Sequence, residues 1–191
     1  MPWKNGLGVT AEIAVDPPES SIGDGRFAWR LSIAAVERSC PFSAFPGYER
    51  TIMVIDGPGM ELSFPGRIAR RLDRLFDPFV FSGDEPAECR LIDGPIHDFN
   101  LMVDRARLRS RFELLRLDGN GRSRAISGKT LIVHCFAGQL HVGAPLDPEI
   151  IAAKHTLVID TDPVSSGELQ FAASGPTIAA VITLSGIESR E

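Results

Sequence analysis

The chain has 191 residues, of which 43% are hydrophobic and 24% charged, so it can bury a core of ordinary size. Its net charge of −5 argues against general affinity for nucleic acid or anionic membranes, because both require a basic protein surface. No apolar run reaches the roughly 18 to 20 residues of a membrane helix, and the start lacks a signal-peptide core, so the cytoplasm is the expected location.

The first residues, MPWKNGLG, place an aromatic and two polar side chains, Trp3, Lys4 and Asn5, ahead of two glycines. Chain ends are ordinarily frayed and bland, so these three are candidate site residues. The plainer interpretation is an aromatic anchor with two solubilising neighbours. The alternation of Val9–Val15 then predicts a strand, and the Pro- and Gly-rich residues 16–25 predict a loop.

Residues 27–36 are predicted to form a stronger strand, because apolar and polar side chains alternate along them. The apolar face carries Phe27, Trp29, Leu31 and Ile33. Arg30 and Ser32 fall on the other face. If the apolar set packs between sheets, Arg30 points to solvent, which is the commoner case for an arginine; if that set faces a second layer outside, Arg30 points into the barrel.

The chain is organised around residues 45–64, where an apolar run, a Gly/Pro turn and an alternating run follow one another. Thr51–Ile55 and Met60–Phe64 are predicted strands, joined by the turn Asp56–Gly59. The preceding residues 41–48 are predicted to form a loop that delivers Arg50 to the start of the first strand. Residues 66–76 are ambiguous between a short helix and a strand, and the prolines on either side favour a strand or extended loop.

Two further strands are predicted at residues 79–81 and 87–92, and a third at 96–103. In the third, Phe99 shares one face with apolar neighbours, whereas Asp98 and Asn100 share the other. Asp and Asn form strands poorly, and burying either unpaired costs about 1 to 3 kcal/mol. A ligand, a partner side chain such as Arg30 or Lys4, or water is therefore expected to offset that cost.

An internal repeat divides the chain. An offset of 79 residues aligns Thr51–Val54 with Thr130–Val133 and Gly59 with Gly138. Short strands bounded by turns dominate both copies, so the prediction is an all-β fold of two antiparallel barrels, jelly rolls or sandwiches packed together in one compact unit. The predicted domains are 1–104 and 105–191, with the polar segment 104–110 as linker.

The same offset indicates where a site belongs. At this offset, Thr177 and Ala179 of the second copy align with Asp98 and Asn100 of the first. Lys129 aligns with Arg50, so a cation is present at that position in both copies. The second copy is therefore predicted to be structural, and the pocket is predicted in the first.

Three segments in order, MPWKNGLGVTAEI, WRLSIAAVERSCPFSAFPGYERT and FSGDEPAECRLIDGPIHDFNLM, resemble the HutD/Ves family of bacterial proteins. The resemblance covers most of residues 2–103 and implies a bicupin fold. Its members are associated with histidine utilisation and stress responses and look like small-molecule binders without an established reaction. The implied ligand class is an acidic intermediate such as formylglutamate or urocanate.

Two features depart from the family. Its members commonly have three glycines after the Lys-Asn pair, where this chain has Gly6-Leu7-Gly8, so close approach of a ligand at Leu7 is in question. Relatives also carry a lead-in segment, so a start further upstream remains open.

No metal site or cofactor is expected. Cupin metal sites use an HxH motif and a Glu, and the chain contains no HxH. His134 and His141 lie in a predicted strand-turn-strand without a carboxylate at the required spacing, and structural or surface histidines are favoured. The cysteines Cys40, Cys89 and Cys135 lie far apart and form no CxxC, so neither a disulfide framework nor a zinc site is indicated.

The leading hypothesis is a metal-independent binder of a small carboxylate-bearing metabolite, with a regulatory role in histidine utilisation. Three groups of side chains would form its pocket: the cations Lys4, Arg30 and Arg50, the polar groups Asn5, Asp98 and Asn100, and the apolar walls Trp3, Phe79 and Phe81. One alternative is a metal-free isomerase or lyase in the same pocket, with Asp98 as general base. Another is a scaffold acting through a protein surface, and a homodimer also remains open.

Overall fold

The computed structural model describes residues 8–20, 27–119, 121–126, 128–143, 147–160 and 167–187, which form seventeen strands. Nine belong to unit 1, Met1–Arg107: β1 Gly8–Asp16, β2 Trp29–Val36, β3 Cys40–Phe42, β4 Tyr48–Asp56, β5 Met60–Ser63, β6 Arg70–Leu72, β7 Phe79–Ser82, β8 Ala87–Leu91 and β9 Ile96–Asp104. Eight belong to unit 2, Leu108–Glu191: β10 Leu108–Asp118, β11 Arg122–Ile126, β12 Thr130–Ala137, β13 Gln139–Gly143, β14 Glu149–Ala152, β15 Thr156–Asp160, β16 Gly167–Ala173 and β17 Pro176–Gly186. The all-β prediction is confirmed.

Each unit consists of two antiparallel sheets. In unit 1 their strand orders are β1-β2-β9-β4-β7 and β3-β8-β5-β6. In unit 2 they are β10-β17-β12-β15 and β11-β16-β13-β14. The two pairs of sheets have the same order strand for strand, except that β1 has no counterpart among the described strands of unit 2.

The strand registers give the repeat an offset of 81 residues, not the predicted 79. A bulge interrupts the β4–β9 ladder between Val54 and Asp56, and the matching bulge in β12–β17 lies between Cys135 and Ala137. Gly57 and Gly138, both with positive φ, follow the two bulges. The predicted alignment of Gly59 with Gly138 was therefore wrong, because a match of short apolar runs tolerates a shift of two residues, which preserves the alternation of faces.

The core of unit 1 lies between its two sheets. Its members come from both sheets and include Ile52, Val54, Met60 and Phe81. The interior of unit 1 is the name used here for this space. Unit 2 has its own core, to which Leu131, Val133 and Phe171 contribute from its two sheets.

One local prediction was wrong: the predicted loop 41–48 begins with residues of β3, in which Cys40 lies opposite Cys89 of β8. The predicted linker 104–110 contains the boundary between the two units, after Arg107, with β9 ending at Asp104 and β10 beginning at Leu108. Residues 66–76 contain the short strand β6, as favoured. The described residues include no helix long and apolar enough to cross a membrane.

Candidate functional site

Four predicted polar side chains share the face of the five-stranded sheet that lines the interior of unit 1. Asp98 lies opposite Ala34 and Val54, two residues of the core between the sheets. Directly opposed residues of neighbouring strands project from the same face, so Asp98 also faces the interior. Two residues further along β9, Asn100 lies on the same face.

Arg30 and Arg50 flank the next residue of that face, Met102, from the strands on either side. All four polar side chains are almost completely buried, with exposed fractions of 1% for Arg30, 4% for Arg50, 2% for Asp98 and 7% for Asn100. The structure therefore brings together every predicted polar site residue that it describes.

Arg30 points into the interior, contrary to the commoner case of a solvent-facing arginine. Its Nε donates to Glu12 Oε2 at 2.7 Å, and its Nη1 donates to Ser32 Oγ at 3.1 Å. Nη2 is buried, and no described residue forms a hydrogen bond with it. Trp29 and Leu31 on the opposite face are buried as well, so apolar character alone did not distinguish the interior face.

Arg50 lies among aromatic rings. Its Cζ is 5.0 Å from the ring centroid of Phe81 and 5.7 Å from those of Phe42 and Phe45. Nη1 donates to the carbonyl oxygen of Ser43 at 3.4 Å, whereas the buried Nε has no hydrogen-bond partner within the described part of the chain. Among the ion pairs of the described residues, none includes Arg50. The cation is thus held by ring faces and one carbonyl and lacks a carboxylate in direct contact.

Asp98 and Asn100 complete the polar surface with two buried oxygen atoms, both Oδ1, that have no hydrogen-bond partner among the residues the structure describes. Buried polar groups in proteins are nearly always hydrogen-bonded, and exceptions call for a physical explanation. Two unpaired acceptors and two unpaired donors on one interior face are the arrangement expected where a ligand or ordered water completes the hydrogen bonds.

Burial shifts the protonation equilibria of this face. It raises the pKa of Asp98 to about 7, although the charge of Arg50 acts in the opposite direction. The pKa of Arg50 is lowered to about 10, mainly by burial and to a smaller extent by the charge of Arg30, whereas the charge of Asp98 acts to raise it. Near neutral pH, Asp98 is therefore only partly ionised, and the face carries an excess of positive charge.

Phe79 and Phe81, the predicted apolar walls, both lie on β7. Their rings stack with centroids 5.7 Å apart and an interplanar angle of 13°. Phe81 lies opposite Arg50 and Phe79 opposite Ile52, so both project from the interior face. The remaining predicted site residues, Trp3, Lys4 and Asn5, lie outside the described residues.

Sequence reasoning missed four contributors: Glu12, Ser32, Phe42 and Phe45. A signal for Glu12 was present, since it is the only charged residue in the apolar run 9–15. The two phenylalanines lie in a segment rich in aromatics and proline, and nothing in the sequence shows that they surround Arg50.

The histidines and cysteines of the described residues form no cluster of three or more groups that could hold a metal ion together with carboxylates. His134 Nδ1 lies 2.7 Å from Thr156 Oγ1, and His141 Nε2 lies 3.3 Å from Ser174 Oγ. The three cysteines are buried as free thiols, and burial raises the pKa of Cys89 to about 12.

Unit 2 presents a different surface at the matching positions. The observed offset aligns Arg50 with Leu131, Asp98 with Ala179 and Asn100 with Val181. All three residues of unit 2 are buried and belong to its apolar core. The predicted loss of polar groups in the second copy holds at the corrected offset and extends to the Arg50 position, where the cation is also lost.

Comparison with known proteins gives the family. The family model described as HutD matches residues 1–180. An uncharacterised 21.2 kDa protein from the hutC 3′ region of Pseudomonas putida is 44% identical over 142 residues, 74% of this chain and 70% of that protein. The protein Ves of Cronobacter sakazakii is 36% identical over 124 residues, 64% of this chain and 65% of Ves.

Solved structures of similar proteins support the same family and show the fold. HutD from Pseudomonas fluorescens SBW25, solved in a formate condition, is 34% identical with a TM-score of 0.83, covering 98% of this chain and 94% of that one. A cupin 2 conserved barrel domain protein from Leptotrichia buccalis, only 9% identical, has a TM-score of 0.57 and covers 92% of this chain and 88% of its own; it supports the fold alone. The chain therefore belongs to the HutD family and has a cupin-type β fold.

Proposed function

We propose that the interior of unit 1 binds a small carboxylate-bearing metabolite, similar to formylglutamate or urocanate, and that this binding serves a regulatory role in histidine utilisation. The observation that carries the proposal is the buried guanidinium of Arg50, which has no carboxylate in direct contact among the described residues. An uncompensated buried charge is strongly unfavourable, by several kcal/mol.

A bound carboxylate would supply the missing counter-charge. A carboxylate offers two oxygens with about four lone pairs, which suit the unpartnered Arg50 Nε and Arg30 Nη2. The phenylalanine rings around Arg50 exclude water, which strengthens a charge-assisted hydrogen bond. The P. fluorescens HutD structure in a formate condition makes formate, the smallest carboxylate, a useful additional probe.

Thermal unfolding in the presence of N-formylglutamate, urocanate and formate tests the proposal. At a ligand concentration of about 100 times Kd, binding to the native state alone adds about 2.7 kcal/mol, which raises Tm by roughly 5 to 10 °C in a chain of this size. Arg50→Gln should abolish the shift. Arg71→Gln, which changes an exposed arginine paired with Asp73, should retain it.

If folded, monodisperse protein shows no change in Tm with any carboxylate, the proposed binding function is wrong, and the scaffold alternative gains support.

One observation favours a second candidate, a metal-free isomerase or lyase. The pKa of Asp98, about 7, is suited to a general base working near neutral pH. Arg50 would then stabilise negative charge that develops on the substrate. Ligand conversion followed by NMR, and its loss in Asp98→Asn with binding retained, would support catalysis. Unchanged ligand after long incubation would favour binding alone.

A further inference from the structure

The unpartnered atoms of the interior of unit 1 are of two opposite kinds. Arg30 Nη2 and Arg50 Nε are donors, whereas Asp98 Oδ1 and Asn100 Oδ1 are acceptors. A guanidinium never accepts a hydrogen bond, and an ionised carboxylate never donates one. A carboxylate ligand can therefore satisfy the two arginines and leave the two oxygens unpaired.

The strand register separates the two kinds along β9. The arginines flank Met102, Asn100 lies one step further along the same face, and Asp98 lies one step beyond that. Successive residues on one face of a strand are about 7 Å apart. The interior face thus changes from donors to acceptors over one to two such steps.

The residues that the structure describes do not pair these atoms with one another. Arg30 already donates to Glu12 and Ser32, and the one hydrogen bond of the Arg50 side chain within the described part of the chain goes to the Ser43 carbonyl. The residues opposite Asp98 on both neighbouring strands, Ala34 and Val54, carry no hydrogen-bonding group in their side chains. The missing partners of the two oxygens must therefore come from outside the described chain.

We infer that the ligand of this interior carries, besides its carboxylate, an N–H or O–H donor roughly one strand step away, which donates to Asn100 or Asp98. The inference rests on the proposed function and narrows it. N-acylamino acids, with an amide N–H, and imidazole carboxylates, with a ring N–H, have this combination. Plain dicarboxylates and aryl carboxylates do not.

Two matched ligand pairs test this in the intact chain. Urocanate and cinnamate share an acrylate, but only urocanate has a ring N–H; N-formylglutamate and glutarate share the dicarboxylate chain, but only the former has an amide N–H. Titration calorimetry at pH 8.5 compares them where Asp98, with a pKa of about 7, is ionised. The N–H member should bind about tenfold tighter in at least one pair, since a buried acceptor left unpaired is costly. Saturation should occur at one ligand per chain, because unit 2 has Ala179 and Val181 at the matching positions.

Two variants at one position separate the donor contact from general packing. Asn100→Leu removes the acceptor, and the ratio of the two dissociation constants within a ligand pair should therefore fall toward one. Asn100→Asp keeps an acceptor oxygen in nearly the same volume, so the preference should persist even if both ligands bind more weakly. If Asn100→Leu does not fold, slowed solvent exchange of the ligand N–H in the wild-type complex provides the second measurement.

The outcomes distinguish the two proposals. Equal binding within both pairs, or an N–H that exchanges freely in the complex, overturns this inference and leaves carboxylate binding intact. A preference that survives both Asn100→Leu and Asp98→Leu, which each remove an acceptor, also overturns it. Binding of no carboxylate overturns the proposed function together with the inference.

Discussion

The Nε of Arg30 donates to Glu12 Oε2 at 2.7 Å and thereby joins β2 to β1, the strand without a counterpart among the described strands of unit 2. The residue that matches Arg30 at the observed offset is Arg111, which is exposed on β10. The buried arginine thus occurs in the unit that has the additional strand and its carboxylate.

Replacement of Glu12 by Ala should destabilise the protein. It leaves a buried guanidinium whose one remaining side-chain hydrogen-bond partner among the described residues is Ser32. We expect a loss of about 2 kcal/mol in the free energy of unfolding, which is below the roughly 3 to 5 kcal/mol typical of a broken buried pair because Glu12 is partly exposed. Denaturant unfolding measures it. Glu61→Ala breaks the more exposed pair with Arg90 and should cost less than about 1 kcal/mol. Equal losses in the two variants would contradict the structural role of the Glu12 contact.

Asp98 should give the folded protein an unusual pH dependence. Its pKa in the folded protein, about 7, lies above the ordinary aspartate value of 3.8, so between these values the folded state binds more protons than the unfolded state. The free energy of unfolding should therefore fall as pH rises from about 4 to 7, by an amount on the order of 4 kcal/mol for this group.

Urea unfolding across that range, in wild type and Asp98→Asn, measures the contribution. Asp98→Asn should lack the decrease in the free energy of unfolding between about pH 4 and 7, whereas Asp93→Asn, which changes an exposed aspartate, should retain it. Superimposable profiles for wild type and Asp98→Asn would show that Asp98 is not buried as described.

His134 should give the free energy of unfolding a pH dependence opposite to that of Asp98. Burial, and to a lesser extent the charge of His155, lower the pKa of His134 to about 4, and between pH 4 and 6.5 the unfolded state therefore binds more protons. The free energy of unfolding should fall as pH decreases from 6.5 to 4, by an amount on the order of 3 kcal/mol. Comparison of His134→Gln with His97→Gln, which changes an exposed histidine, isolates the effect. NMR titration showing His134 protonated near pH 6.5 would refute it.

Gly57 and Gly138 should resist substitution. Gly57 has a φ of 95°, and an added Cβ would lie 2.4 Å from Pro95 O; Gly138 has a φ of 80°, and its Cβ would lie 2.5 Å from Pro176 O. Alanine at either position should cost about 2 to 4 kcal/mol, since a steric clash adds to the left-handed strain.

Gly94 is a matched control, because its φ is 96° but an added Cβ would meet nothing within 4 Å. Gly94→Ala should cost only the backbone strain, about 1 to 2 kcal/mol. Thermal unfolding compares the three variants, and equal losses at Gly57 and Gly94 would contradict the close approach to Pro95.

Local patterns were sufficient for the strands and for part of the site. Period-two alternation located β1, β2, β5 and β9, because a strand exposes its two faces to different environments, and an apolar run that ends at a Gly/Pro turn located β4. The pair Asp98 and Asn100 was identifiable because polar residues interrupt an otherwise apolar strand. A duplication was also detectable, although apolar matches placed its offset two residues short of the one that the ladder registers show.

The tertiary structure alone decided which face is the interior. Arg30 and Trp29 are neighbours on β2 and both are buried, so neither hydrophobicity nor alternation indicates which side faces the second sheet of unit 1. The more distant partners of Arg30 and Arg50, namely Glu12 and the surrounding phenylalanines, come from strands and loops that only the tertiary structure brings together, whereas Ser32 lies on the same strand as Arg30. The sequence determined that polar groups occur on apolar strands, since that is a local property; their convergence depends on strand pairing between residues distant in the chain, which local patterns do not encode.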